Sequence, residues 1–187
     1  MSTGFFKVPV PVNEPNLMYA PGSAERTALK AALNQFKSES ADLPMFIGGK
    51  EVRTGKKIAM HPPHEHKHVL GHYHAGTGEH VKQAIDAALK AKKQWENMPW
   101  EHRSAIFLKA ADLLAGPYRA RINAATMLCQ SKNAFQAEID AACELIDFLR
   151  YNVQFATEIY SQQPVSSKGM WNRMEQRALE GFVFAIT

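Results

Sequence analysis

The stretch QAEIDAACELIDFLRYNVQFATEIY, residues 136–160, decides the fold. Its apolar residues Ile139, Ala142, Leu145, Ile146, Phe148, Leu149, Val153, Phe155 and Ile159 recur at three- and four-residue steps, the spacing of a helix. The reading is one long helix from about Ala134 to Tyr160. Its polar residues Asp140, Cys143, Asp147, Arg150, Gln154 and Glu158 form one narrow stripe, so the rest of the circumference is expected to be covered by more than one layer. Glu144 lies at the border of the apolar face, in line with Phe148, Tyr151 and Phe155. A carboxylate among aromatic rings is a candidate functional acid with a raised pKa, and the plainer alternative is a rim residue with its head in water.

Upstream of this helix the periodicity continues. Pro99 opens a helix with the core residues Ile106, Phe107, Ala110, Leu113 and Leu114, and Gly116-Pro117 ends it and starts the next, as suits a glycine stop and a first-turn proline. Before that, Thr77 caps a helix with the stripe Val81, Ala84, Ile85, Ala88 and Leu89. Earlier still, Met45–Ile47, the Gly48-Gly49 turn and Glu51–Arg53 read as a hairpin, with further short strands at Lys57–Met60 and Lys67–His74. Ser23 is an N-cap with Glu25 in the first turn, and Ala28, Leu29, Ala32, Leu33 and Phe36 carry a helix to about Lys37. Residues 1–22, with Pro9, Pro11, Pro15 and Pro21, form an extended arm.

Downstream, Trp171–Ala178 alternates loosely like an exposed strand, and GFVFAIT, residues 181–187, is a dense apolar run. Such a run marks a strand buried on both faces of a parallel sheet, which requires neighbours joined by crossovers. The expectation is a chain that forms the first part of a larger protein. The 187 residues, 45% hydrophobic and 21% charged, exclude a disordered tail or a disulfide scaffold. The net charge of +4 is mild, and the basic residues alternate with acids, so neither nucleic acid nor membrane is expected as partner. Cys129 and Cys143 lack metal or redox spacing and read as buried thiols in a reducing compartment. The first residues show no secretory or clear transit signal, which points to the cytoplasm, or to the mitochondrial matrix in a eukaryote.

Chemistry-bearing motifs are few. Six of the eight histidines fall within His61–His74. If the segment is a strand, His64, His66 and His68 share one face within metal-coordinating reach, although no acid or cysteine stands at ligand spacing, so no metal site is assigned. A phosphate loop, a GxGxxG fingerprint, a GxSxG elbow and a nucleophilic triad are all missing, and no catalytic residue is assigned.

The ordered series VNEPN, APGSAERTALKAAL, IFLKAADLLAGPYRARINAATM, QSKNAFQAEIDAACELIDFLRYN, QQP and LEGFVFAIT resembles the beginning of the L-glutamate-γ-semialdehyde dehydrogenases of the aldehyde dehydrogenase superfamily, from about Val12 to Thr187. The resemblance implies an α/β fold: the helical first part of an NAD-binding domain with small β-hairpins, cut at the first Rossmann-type strand. Residues 1–22 would be the arm, 23–163 the helical part with the β segment at 44–74, 164–180 the start of an oligomerisation flap, and 181–187 the first strand of the dinucleotide fold. It also implies oxidation of glutamate semialdehyde to glutamate with NAD in proline breakdown, by covalent catalysis whose cysteine, glutamate and asparagine lie beyond Thr187. Within this chain it implies Glu144 at the substrate pocket, Ile186 and Thr187 at the cofactor, and Met170–Glu180 reaching toward a partner in a homo-oligomer. One departure is Cys129, where the family tends to carry glycine. The chain alone is expected to be inactive. The competing reading is a non-enzymatic module, either a helical interaction protein or a His-rich metal binder.

Overall fold

The computed structural model describes Gly4 and residues 6–186. Helix α1 (Ala24–Ser38) begins where Ser23 Oγ accepts from the Arg26 amide. Short strands follow: β1 (Ala41–Leu43), β2 (Met45–Ile47), β3 (Lys50–Val52), β4 (Lys57–Met60) and β5 (Gly71–His74). Helices α2 (Gly78–Asn97), α3 (Trp100–Ala115), α4 (Arg119–Gln130), α5 (Ala134–Ala137) and α6 (Glu144–Ser161) make up about half of the chain, with a π-helical turn at Glu138–Cys143 joining α5 to α6.

The β2–β3 hairpin has Met45 opposite Val52 across the Gly48-Gly49 turn. The second sheet is mixed, in the order β1-β5-β4, with β1 parallel to β5 and β4 antiparallel to it. The expected strand at Lys67–His74 is only Gly71–His74. Residues 61–70 form turns and a loop: the Glu65 amide closes on the Pro62 carbonyl and the His68 amide on that of Glu65. The supposed shared face of His64, His66 and His68 therefore does not exist, because the Pro62-Pro63 pair starts turns instead of a ladder.

The helices pack in pairs, α1 against α4 and α3 against α6. One apolar cluster joins Leu29 and Ala32 of α1 to Ala124 of α4 and to Tyr19 of the arm. The other joins Ala111 of α3 to Ala142 and Ile146. Alanines occupy fully buried contact points (Ala111, Ala124, Ala137 and Ala142), where a larger side chain would push the backbones apart.

The long helix differs from expectation in its backbone path. Its backbone passes through the π-turn, so its register changes at residues 138–143. Part of its apolar surface, including Phe148, Phe155 and Ile159, remains exposed, as do Val81 and Leu89 of α2. Residues 164–186 contain no helix and no strand. The alternation at Trp171–Ala178 and the apolar run Phe182–Ile186 thus form no sheet among the described residues, since no partner strand lies beside them. Cys143 is buried as expected, whereas Cys129, in the last turn of α4, is exposed.

Gly71 is the tightest backbone contact in the sheet. Its φ is +148°, and a Cβ there would lie 2.1 Å from the Ala41 carbonyl oxygen, a distance only displacement of β1 could relieve. Gly71→Ala should lower stability by at least about 2 kcal/mol, read as a fall in the urea midpoint. An unchanged midpoint would contradict the parallel β1–β5 pairing.

Candidate functional site

Asn133 starts the decisive segment with a reciprocal cap: its side chain accepts from the Gln136 amide, and the Gln136 side chain accepts from the Asn133 amide. One turn later comes Glu138, fully buried and absent from the polar stripe read in the sequence. Four N–H and O–H donor groups surround its carboxylate, beside the Cys143 thiol at 3.7 Å. The Leu17 amide donates at 2.8 Å and the Tyr19 hydroxyl at 2.6 Å from the arm. The Asn123 amide donates at 2.7 Å, and the Arg119 guanidinium pairs with it through Nε and Nη2.

Burial pushes the Glu138 pKa up, but the hydrogen bonds from Arg119, Tyr19, Leu17 and Asn123 outweigh it and hold the carboxyl below the usual range. Burial and the Glu138 carboxylate both raise the Tyr19 phenol. Burial opposes the Arg119 charge, yet its bonds to Glu138 and Glu14 more than compensate. Cys143, at the end of the π-turn, lies 3.3 Å from Arg119 Nη2, and burial together with Glu138 raises its thiol to about 11. It is therefore a neutral packing thiol.

The arm continues along α6. Glu14 bridges Arg119 at 2.5 Å and Arg150 at 2.7 Å. Asn13 Nδ2 and the Glu14 amide each donate to one oxygen of Asp147 at 2.7 Å. Arg119 also donates to the Pro15 carbonyl at 2.7 Å. Asp147, Arg150 and Cys143 of the polar stripe are thus the seat of the arm. Between arm and helix runs an open groove of about 770 Å³, lined in part by Asn13, Asp140, Glu144, Asp147, Tyr151 and Phe155.

Glu144 is exposed on this groove, not buried among rings. Of the groove carboxylates, Glu14 holds two arginines, Asp140 holds Lys132 at 2.7 Å, and Asp147 holds the arm. Among the described residues, only Glu144 of these four has no hydrogen-bond or ion-pair partner in the protein. That combination, an uncommitted carboxylate beside Phe148, Tyr151 and Phe155, suits a cationic donor group.

The other expected site residues lie apart. Ile186 is 85% exposed and far along the chain from the groove, and Thr187 lies outside the described residues. Residues 182–186 belong to no helix or strand. Met170–Glu180 is exposed, tied to the end of α6 where Gln163 accepts from the Met174 amide at 2.8 Å and donates back to its carbonyl at 3.1 Å. His64 engages Ser131 at 2.8 Å and His61 the His68 carbonyl at 2.9 Å. Among the described residues no three His, Cys, Asp or Glu side chains form a metal-binding group.

A helical layer with a small mixed sheet and an arm strapped along the π-turn and α6 is the first part of the aldehyde dehydrogenase fold. The chain belongs to the aldehyde dehydrogenase family, which residues 51–187 match. It is 52% identical over 184 residues to the Delta-1-pyrroline-5-carboxylate dehydrogenase of Agaricus bisporus, covering 97% of this chain and 34% of that protein. The human mitochondrial Delta-1-pyrroline-5-carboxylate dehydrogenase is 45% identical over 175 residues, 94% of this chain and 31% of that protein. A crystal structure of the Mycobacterium tuberculosis Delta-pyrroline-5-carboxylate dehydrogenase bound with NAD and cobalamin superposes with a TM-score of 0.95 at 49% identity, covering 97% of this chain and 34% of that one. The chain thus spans about a third of the length of these relatives.

Because the Glu138 pKa is depressed in the folded state, its contribution is fully present above the ordinary carboxylate range and is lost as pH falls through the lower folded value. Glu138→Gln should cost about 3–5 kcal/mol at pH 7, since it leaves Arg119 buried beside a neutral amide. The difference from wild type should narrow in acid. Urea titrations at pH 7 and pH 3 test this, and a constant gap would exclude the charge as its source.

Proposed function

We propose that this chain is the amino-terminal portion of an NAD-dependent dehydrogenase that oxidises L-glutamate γ-semialdehyde, formed from pyrroline-5-carboxylate, to L-glutamate in proline catabolism. What carries this reading is the likeness, over nearly all of this chain, to about a third of the length of the pyrroline-5-carboxylate dehydrogenases of a fungus, a mammal and a bacterium. The site chemistry agrees with it. The proposed substrate carries an α-ammonium group, and Glu144 is the groove carboxylate left open to receive such a donor.

In this reading α6 supplies one wall of the substrate site, and Ile186 and Thr187 supply a strand end at the NAD site. NAD held there would supply the hydride acceptor for the oxidation. Met170–Glu180 begins the flap that meets another subunit in a homo-oligomer. No described helix is long and apolar enough to cross a membrane. The reading places the enzyme in the cytoplasm, or in the mitochondrial matrix of a eukaryote.

Neither cysteine here suits the nucleophile. Cys143 is buried with its pKa raised to about 11, and Cys129 sits near the carboxyl end of α4, where the helix dipole disfavours a thiolate. The 187-residue chain alone should therefore form no NADH from NAD and pyrroline-5-carboxylate, and turnover by it would refute this division of labour. In the full gene product that carries this sequence, Glu144→Gln should raise KM for pyrroline-5-carboxylate about tenfold with little loss of stability, since Glu144 is exposed. An unchanged KM would remove Glu144 from the substrate site.

A further inference from the structure

We infer that Asn13 of the arm is a positioning residue for the groove, holding Asp147 and Tyr151 so that Glu144 alone receives the substrate's cationic group. The inference rests on the reading of Glu144 given above. The Asn13 amide is used at both ends: Nδ2 donates to Asp147 Oδ2 at 2.7 Å, and Oδ1 accepts from the Tyr151 hydroxyl at 3.3 Å. The other Asp147 oxygen accepts from the Glu14 amide at 2.7 Å. Asn13, Asp147, Tyr151 and Glu144 all line the same groove.

The spacing on α6 explains the need for this clamp. Asp147 follows Glu144 by three residues, one helical turn, so the two carboxylates neighbour each other on one face. Left free, Asp147 would offer a second acceptor to any ammonium group bound at Glu144. The arm removes that competition by occupying both Asp147 oxygens. It also holds the Tyr151 ring, whose centroid lies 6.1 Å from that of Phe155 and which forms part of the aromatic side of the groove.

Asn13 is separable from the anchoring of the arm. The arm is held independently by Glu14 on Arg119 and Arg150, and by Leu17 and Tyr19 on Glu138. A change at the exposed Asn13 therefore alters the groove without releasing the arm.

The test uses the full gene product that carries this sequence, with NAD and pyrroline-5-carboxylate. Asn13→Asp places two carboxylates together and removes the donor to Asp147. It should raise KM about tenfold while kcat changes less than twofold. The double variant N13D/D147N restores a donor and an acceptor in exchanged positions, and should return KM to within about twofold of wild type. Amide exchange at Glu14 should quicken in N13D and slow again in the double variant. An unchanged KM in N13D, beside a raised KM in E144Q, would overturn the role of Asn13 and leave that of Glu144 standing. A raised KM that the double variant does not reverse would also overturn it. No effect of E144Q, or no turnover by the wild type, would bring down the underlying reading and this one with it.

Discussion

A carboxylate sealed from water must find enough donors inside the protein, and Glu138 shows how much structure that requirement organises. An unpaired buried charge costs several kcal/mol, so its donors cannot be optional. Two come from α4, Arg119 and Asn123, and two from the arm, the Leu17 amide and the Tyr19 hydroxyl. One side chain thereby fixes the orientation of α4, the path of a proline-rich segment with no secondary structure of its own, and the start of the π-turn. The same guanidinium reaches Glu14 and the Pro15 carbonyl, which extends the constraint to Asp147 and Arg150 on α6. The groove beside Glu144 has one wall because Glu138 is satisfied.

The elements whose signals are local were legible in the sequence. Ser23, Thr77, Pro99 and Gly116 mark helix ends through backbone chemistry that any window of a few residues displays, and Gly48-Gly49 marks the hairpin in the same way. Glu138 was not legible, because a glutamate between Ala137 and Ile139 reads as an ordinary helical acid. Its meaning depends on donors 15 to 121 positions away. The π-turn was hidden for a related reason: the apolar residues on both sides keep three- and four-residue spacing, and only tertiary packing shows that the register changes. The strand read at Lys67–His74 was too long, since the turns that follow Pro62-Pro63 run on to residue 70 and leave only Gly71–His74 in the ladder.

Glu144 is legible in the sequence as a border residue of the helix, with burial among rings and a rim position in water as its two readings. The structure has it exposed at the rim, and what the sequence does not display is that the other groove carboxylates are all engaged. Availability of this kind cannot be seen along one helix, because Asp147 and Glu14 are occupied by partners more than a hundred residues away. The exposed apolar run Phe182–Ile186 shows the same limit. Its composition predicts a strand, and among the described residues no partner strand lies beside it.

The strapped arm has a consequence for the order in which the molecule is made. Asn13 and Glu14 leave the ribosome early, yet their partners Asp147 and Arg150 follow 134 and 136 residues later. At roughly 5–20 residues per second, the arm waits on the order of ten seconds before its binding surface exists. During that interval a segment with four prolines can neither coil into a helix nor pair easily as a strand. The prolines that deny the arm a structure of its own therefore also keep it available, an extended and unaggregated ligand, until the helix it must clasp has been synthesised.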